Sequence, residues 1–131
     1  LRLKERHTGK GLAIFSGDIE KRGLRRLLHT NPNIQADILV LPHHGAASSM
    51  LAKFYDATQP KTAIASCNFQ NAWGFPSNSV RNALNERGIA LLTTADSGQI
   101  TVEWTSIEQK PRIYTERDGQ HIRVIETKDI P

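Results

Sequence analysis

Three side chains in this sequence have types and spacing suited to metal chemistry: Asp18, His43 and His44. One carboxylate and two imidazoles are oxygen and nitrogen donors that suit zinc or manganese. A carboxylate can bridge two such ions, and two ions about 3.5–4 Å apart clamp the attacking and leaving oxygens of a phosphoester. Three donors alone do not complete a site of that kind, and the other imidazoles, His7, His29 and His121, stand singly along the chain. A Ser/His/Asp hydrolase is disfavoured because no G-x-S-x-G elbow occurs, and neither a P-loop nor a G-x-G-x-x-G pattern is present.

The elements that must position these residues can be read from the apolar pattern. Ile38-Leu39-Val40-Leu41 is an unbroken apolar run, as in a strand buried on both faces, and Pro42 ends it. A parallel strand stopping there delivers His43, His44 and Gly45 to the carboxyl edge of its sheet. Upstream, Leu1–Arg6 alternates apolar and charged residues, His7–Gly11 supplies a turn and Leu12–Phe15 is a second strand, so the two read as an antiparallel hairpin. Ser16-Gly17-Asp18 leads into a helix with Leu24, Leu27 and Leu28 on one face, closed by Asn31-Pro32-Asn33. Asp18 therefore stands where strand gives way to helix, either as an N-cap or as a metal ligand. Lys21, Arg22, Arg25 and Arg26 share that helix, as a solvated face or as a contact to a phosphate backbone.

After Gly45, a helical pattern places Met50, Leu51, Phe54 and Tyr55 on one side, with Ser48 or Ser49 as its cap or as an anion contact beside the imidazoles. Thr62–Cys67 reads as a further buried strand, and two βα units in succession point to an α/β layer. Asn68–Ser79 is a loop on the same edge as Asp18 and His43, provided that the three strands are parallel, with Trp73 and Phe75 expected to fold it onto the core. Ser77 or Ser79 caps a helix carrying Val80, Ala83 and Leu84, which Gly88 ends. Ile89–Thr93 and Ile100–Trp104, joined through Asp96-Ser97-Gly98, read as a hairpin, and Arg112–Glu116 with His121–Glu126 as another.

Composition sets the outer limits. The 131 residues make one domain with enough apolar content for a core, and the formal charge of +4 suits a polyanionic partner although the basic residues are dispersed. Cys67 is the only cysteine, which excludes an internal disulfide. No apolar run reaches the length of a membrane-spanning helix and no signal peptide opens the chain. Because Leu1 already lies in a strand, the chain is expected to be an excised piece of something longer, soluble as this fragment.

Five stretches together carry a resemblance: S-G-D-I-E at Ser16–Glu20, A-D-I-L-V-L-P-H-H-G at Ala36–Gly45, Q-P-K-T-A-I-A-S at Gln59–Ser66, W-G-F-P at Trp73–Pro76, and the run from Gly88 to Val102. In order and spacing, over residues 10 to 104, they resemble the carboxy-terminal metallo-β-lactamase-like domain of the ComEC DNA-uptake channels. The resemblance implies an α/β fold, the second half of an αββα metallo-β-lactamase-like sandwich with a mixed sheet and helices on one face. Residues 1–104 would be the carboxy-terminal half of that domain and 105–131 a β-hairpin tail of it. Asp18 falls on the family's metal-bridging aspartate, and His43 and His44 on its P-H-H-G motif, where one imidazole is expected to face the metals or a bound phosphate.

Three departures stand out. The H-x-H-x-D-H-type motif of the amino-terminal half is not in this chain, Phe75 occupies the place of the His of G-H-P, and Ala46 that of a Ser after H-H-G. The resemblance implies a competence protein fragment whose intact domain acts on phosphodiester bonds of incoming DNA. In that role Asp18, His43 and His44 are the metal-binding and catalytic residues, and Ser48, Ser49, Arg22 and Arg25 contact phosphate or DNA. Zinc or manganese is the expected cofactor of the intact domain, possible in this chain only weakly, which is then expected to be inactive alone. The alternative is a degenerate, metal-free domain that binds or guides DNA or braces the channel. The implied partners are DNA, the missing amino-terminal half, a membrane channel domain and, through an exposed sheet edge, a second copy of the fragment. The implied location is the inner membrane, with this domain on the periplasmic side.

Overall fold

A computed structural model describes residues 1–105 and 110–117, and the backbone alone of 121–125. The first sheet contains β1 (Arg2–Lys4), β2 (Gly11–Phe15), β3 (Ile38–Val40), β4 (Thr62–Ala65) and β5 (Ala90–Thr93) in that spatial order. β1 runs antiparallel to β2, and β2 through β5 are mutually parallel. The expected first hairpin is present, its turn held by the Glu5 carboxylate, which accepts from His7 N at 2.8 Å and from the Thr8 hydroxyl at 2.6 Å. The parallel strands are joined by α1 (Lys21–Thr30), α2 (Ala52–Thr58) and α3 (Asn78–Asn85).

Side-chain alternation along the strands divides the core in two. Ile14, Leu39, Ala63 and Ala65 point to one face, where Leu24, Phe54, Tyr55, Val80, Ala83 and Leu84 of the helices cover them. Leu24, Leu39 and Phe54 have no exposed surface, and burial of each contributes about 1.5–3 kcal/mol. Ala13, Ile38, Ile64 and Leu92 point to the other face, where they meet Ile113. That residue belongs to a three-stranded antiparallel sheet of β6 (Gln99–Glu103), β7 (Arg112–Arg117) and β8 (His121–Ile125). Among the described residues, α1, α2 and α3 therefore lie on one face of a mixed sheet and a second sheet on the other, which is why β4 is buried along its whole length.

Three local expectations are corrected. β5 and β6 do not form a hairpin: β5 joins the first sheet and β6 pairs with β7 in the second. Between them the single-turn helix α4 (Thr94–Ser97), capped by the Thr93 hydroxyl accepting from Asp96 N at 3.0 Å, turns the chain out of one layer into the other. Asp18 does not cap α1, whose N-cap is Glu20, without a side-chain cap bond. Neither Ser48 nor Ser49 caps α2, because both lie in a separate 3-10 turn and Leu51 precedes the helix. Among the described residues no helix is long and apolar enough to cross a membrane.

Candidate functional site

Because β2, β3 and β4 are parallel, the segments that follow them share one sheet edge. The Gly17 carbonyl accepts from His43 N at 2.8 Å, tying the loop after β2 to the turn after β3, and the Gly45 carbonyl accepts from Ser77 N at 2.9 Å, tying that turn to the loop after β4. Asp18, the two imidazoles and the Asn68–Ser79 loop are thus assembled at the edge where the apolar pattern locates them.

The turn itself is unusual. His43 (φ 48°, ψ 45°) and His44 (φ 57°, ψ 14°) both adopt left-handed backbone, and Gly45 follows at φ 85°. A non-glycine residue there costs on the order of 1–2 kcal/mol, and such conformations persist only where surrounding contacts impose them. The two inter-loop bonds do so here, together with Ala46 N donating to the His43 carbonyl at 2.9 Å and the Ser49 hydroxyl lying 2.8 Å from the Pro42 and Ala46 carbonyls.

The strained turn gives the imidazoles different neighbours. His44 Nε2 lies 3.6 Å from Asp18 Oδ1, both side chains being largely exposed. His43 Nδ1 lies 3.3 Å from Glu20 Oε1, an ion-pair distance without hydrogen-bonding geometry. Glu20 also accepts the Ser48 hydroxyl at 2.8 Å. Glu20 escaped the sequence reading; its signal was its place two residues beyond Asp18, on the same approach to α1. Phe75 borders both imidazoles, with ring centroids 6.0 Å from His43 and 6.2 Å from His44.

The remaining candidates fall outside this cluster. Ser49 has no exposed surface and its hydroxyl serves internal carbonyls, so it is a structural residue of the turn and not an anion contact. Ser48 is exposed beside Glu20. Arg22 and Arg25 are exposed on α1 and make no hydrogen bond or ion pair among the described residues. His7 and His29 are also exposed, and the His121 side chain lies outside the described residues.

Asp18 and His44 have the donor chemistry for zinc or manganese, but two donors do not make a centre. Among the described residues no group of three or more His, Cys, Asp or Glu side chains gathers as metal ligands. The described residues do not fit a complete metal site by themselves.

No known protein-family profile matches the chain. Individual relatives do. It is 38% identical over 93 residues to ComE operon protein 3 of Bacillus subtilis, covering 71% of this chain and 12% of that protein. It is 33% identical over 94 residues to competence protein ComA of Neisseria gonorrhoeae, covering 71% and 14% respectively. It is 32% identical over 96 residues to recombination protein 2 of Haemophilus influenzae, covering 73% and 12%. The matched region is about one eighth of these relatives' length. Through that homology the chain belongs to the ComEC family of competence proteins.

Proposed function

We propose that this chain is the carboxy-terminal half of an αββα metallo-β-lactamase-like domain in a DNA-uptake protein, and that its carboxyl edge serves hydrolysis of phosphodiester bonds in incoming DNA. One observation carries the reading. Two successive non-glycine residues are held in left-handed backbone at a sheet's carboxyl edge, with His44 Nε2 3.6 Å from the Asp18 carboxylate. Backbone strain of this kind is characteristic of sites rather than of packing. The layering of helices, a mixed sheet and a second sheet of β6, β7 and β8 supports this reading; in it, residues 1–104 are the carboxy-terminal half of the domain and 105–131 its β-hairpin tail.

In this reading Asp18 and His44 contribute a carboxylate and an imidazole to a zinc or manganese centre, with His43 alongside, whose remaining donors come from the amino-terminal half outside this chain. Such an ion supplies an activated water and neutralises phosphoryl charge. Ser48 offers a hydroxyl at the same edge, and Arg22 and Arg25 neutralise backbone phosphates. The chain alone is then inactive. Its full-length protein sits in the inner membrane with this domain on the periplasmic side, joined to a channel domain, and the fragment pairs with a second copy through the β1 edge, where Leu1 is 89% and Leu3 45% exposed.

The test is metal content and DNA cleavage by the domain with its amino-terminal half restored, beside Asp18→Ala. Stoichiometric zinc or manganese and cleavage that depends on Asp18 support hydrolysis; absence of both in the restored domain rejects it. A second reading rests on Phe75, whose apolar ring faces both imidazoles. It makes the edge a metal-free DNA-binding surface. In that case Asp18→Ala leaves uptake intact, while Arg22→Glu with Arg25→Glu weakens DNA binding and flattens its salt dependence by about 0.7–0.9 per lost phosphate contact.

A further inference from the structure

The Asn68–Ser79 loop does not use its aromatic residues for packing. Trp73 is 77% exposed and Phe69 55% exposed, and Phe75 is only partly buried. The rings are nevertheless ordered relative to one another. Trp73 stacks on Phe75 at an interplanar angle of 16°, and Phe75 stacks on His44 at 24°, with centroid separations of 6.1 and 6.2 Å. A row of near-parallel rings thus runs from open solvent to the His44–Asp18 pair.

The backbone holds this row in place. Asn71 accepts from Phe75 N at 2.6 Å through Oδ1 and donates through Nδ2 to the carbonyls of Phe75 at 3.0 Å and Asn68 at 3.2 Å. Gly74, at φ 64°, makes the turn between the two rings, and a Cβ there would meet nothing within 4 Å. The loop surface is open, and its rings are preorganised.

Because Trp73 and Phe75 adjoin, they leave a contiguous ring surface open at the end of the loop, and covering it with another π surface removes apolar area from water. The charges at the loop select the occupant. Arg81 Nε donates to the Pro76 carbonyl at 3.0 Å, next to Phe75, and the Arg117 guanidinium lies over the Phe69 ring at 5.1 Å. Arg117 Nη1 donates to the Asp96 backbone carbonyl at 3.1 Å, the Asp96 carboxylate accepts the Thr93 hydroxyl at 2.6 Å, and Asp18 and Glu20 stand at the opposite end of the row. Flat rings flanked by guanidinium groups are the combination that holds single-stranded nucleic acid, the rings stacking on bases and the cations meeting phosphates. A duplex hides its base faces in its own stack.

We propose that Trp73 and Phe75 form a stacking platform for an unpaired nucleobase, so that the edge receives single-stranded nucleic acid with its backbone directed toward His44 and Asp18. This rests on the reading that the chain works on DNA and deepens it by naming the strandedness of the ligand and the side chains that recognise it.

The experiment is fluorescence-anisotropy titration of a fluorescein-labelled oligothymidylate about ten nucleotides long, and of a labelled duplex of equal length, with the 131-residue chain. The chain is compared with Trp73→Ala and Trp73→Phe, and Trp104 emission reports that each variant is folded. Trp73→Ala is expected to weaken oligothymidylate binding by about five-fold or more, with Trp73→Phe retaining most of the affinity and duplex binding changing little. Equal affinity in wild type and Trp73→Ala overturns the proposal, as does an equal loss on duplex. It is also overturned if Trp73→Ala turns a sedimenting dimer into a monomer without altering oligonucleotide affinity, since the ring then belongs to a contact between copies. Failure here leaves the hydrolytic reading standing, because that reading depends on Asp18-dependent cleavage and not on Trp73.

Discussion

Glu20 Oε1 lies 3.3 Å from His43 Nδ1 and accepts the Ser48 hydroxyl at 2.8 Å, so one carboxylate joins the approach to α1, the imidazole turn and the 3-10 turn after it. Glu20→Ala should loosen that junction, because the Ser48 hydroxyl loses its acceptor. Stability in urea denaturation should fall by less than about 1 kcal/mol, since the pair is half exposed. Amide chemical shifts of His43 and Ser48 should move, and should move less in Glu20→Gln, which keeps an acceptor for the hydroxyl. Unchanged shifts in Glu20→Ala would remove this role.

Gly45 is expected to tolerate no side chain. At φ 85° an added Cβ would stand 2.7 Å from Pro76 Cβ and 3.1 Å from Pro76 Cα, against the segment that carries Phe75. Gly45→Ala combines a left-handed backbone penalty with a clash against the Pro76 ring and should cost about 2–4 kcal/mol in urea denaturation. A variant as stable as wild type would mean that the two loops are not held as closely as this.

Asp37 predicts an acid sensitivity at the other edge of the sheet. Burial pushes its carboxyl up, but hydrogen bonds and charge from Lys61 and Lys10, each 3.0 Å away, outweigh burial and hold it below its ordinary value. A depressed carboxylate lends stability in full above its unfolded value, about 3.9, and that share is lost as pH falls through the folded value. Asp37→Asn should lower stability at neutral pH by about 1–3 kcal/mol and change it less near about pH 3. Parallel stability curves for the two proteins from neutral to acid pH would contradict this.

Tyr55 should be replaceable by Phe without loss. Its hydroxyl is buried and has no hydrogen-bond partner among the described residues, and burial pushes its phenol up to about 12, with Arg87 pulling weakly the other way. Removing a buried, unpartnered hydroxyl is neutral or stabilising, here by up to about 1 kcal/mol. Because the folded value is raised, wild type should lose stability as pH climbs from the ordinary phenol value of about 10. Tyr55→Phe should lose less over the same range, read from thermal melts; a destabilised variant would show that the hydroxyl has a partner.

Much of the site was legible because its residues end strands. The apolar runs before Asp18, His43 and Asn68 mark three parallel strands whose carboxyl ends must coincide, and the structure brings those three segments to one edge. Caps were less legible. Ser49 has the residue type of a helix cap, yet the strained turn draws its hydroxyl inward to Pro42 and Ala46. Trp73 has the residue type of a core anchor, yet its side of the loop is open to solvent.

The sequence by itself determined the order of the strands and of the three longer helices, and that a carboxylate and two imidazoles follow the ends of two strands; it missed the single-turn helix at Thr94–Ser97 and ran several strands past their ends. These properties depend on local periodicity and on proline and glycine, which act within a few residues. Only the tertiary structure decided that β5 and β6 part into different sheets, that Glu20 faces His43 while Asp18 faces His44, and that Trp73 and Phe75 stack outward in line with His44. Each of these is a choice of partner among residues distant in sequence, made by packing two layers against one sheet, and no local pattern encodes it.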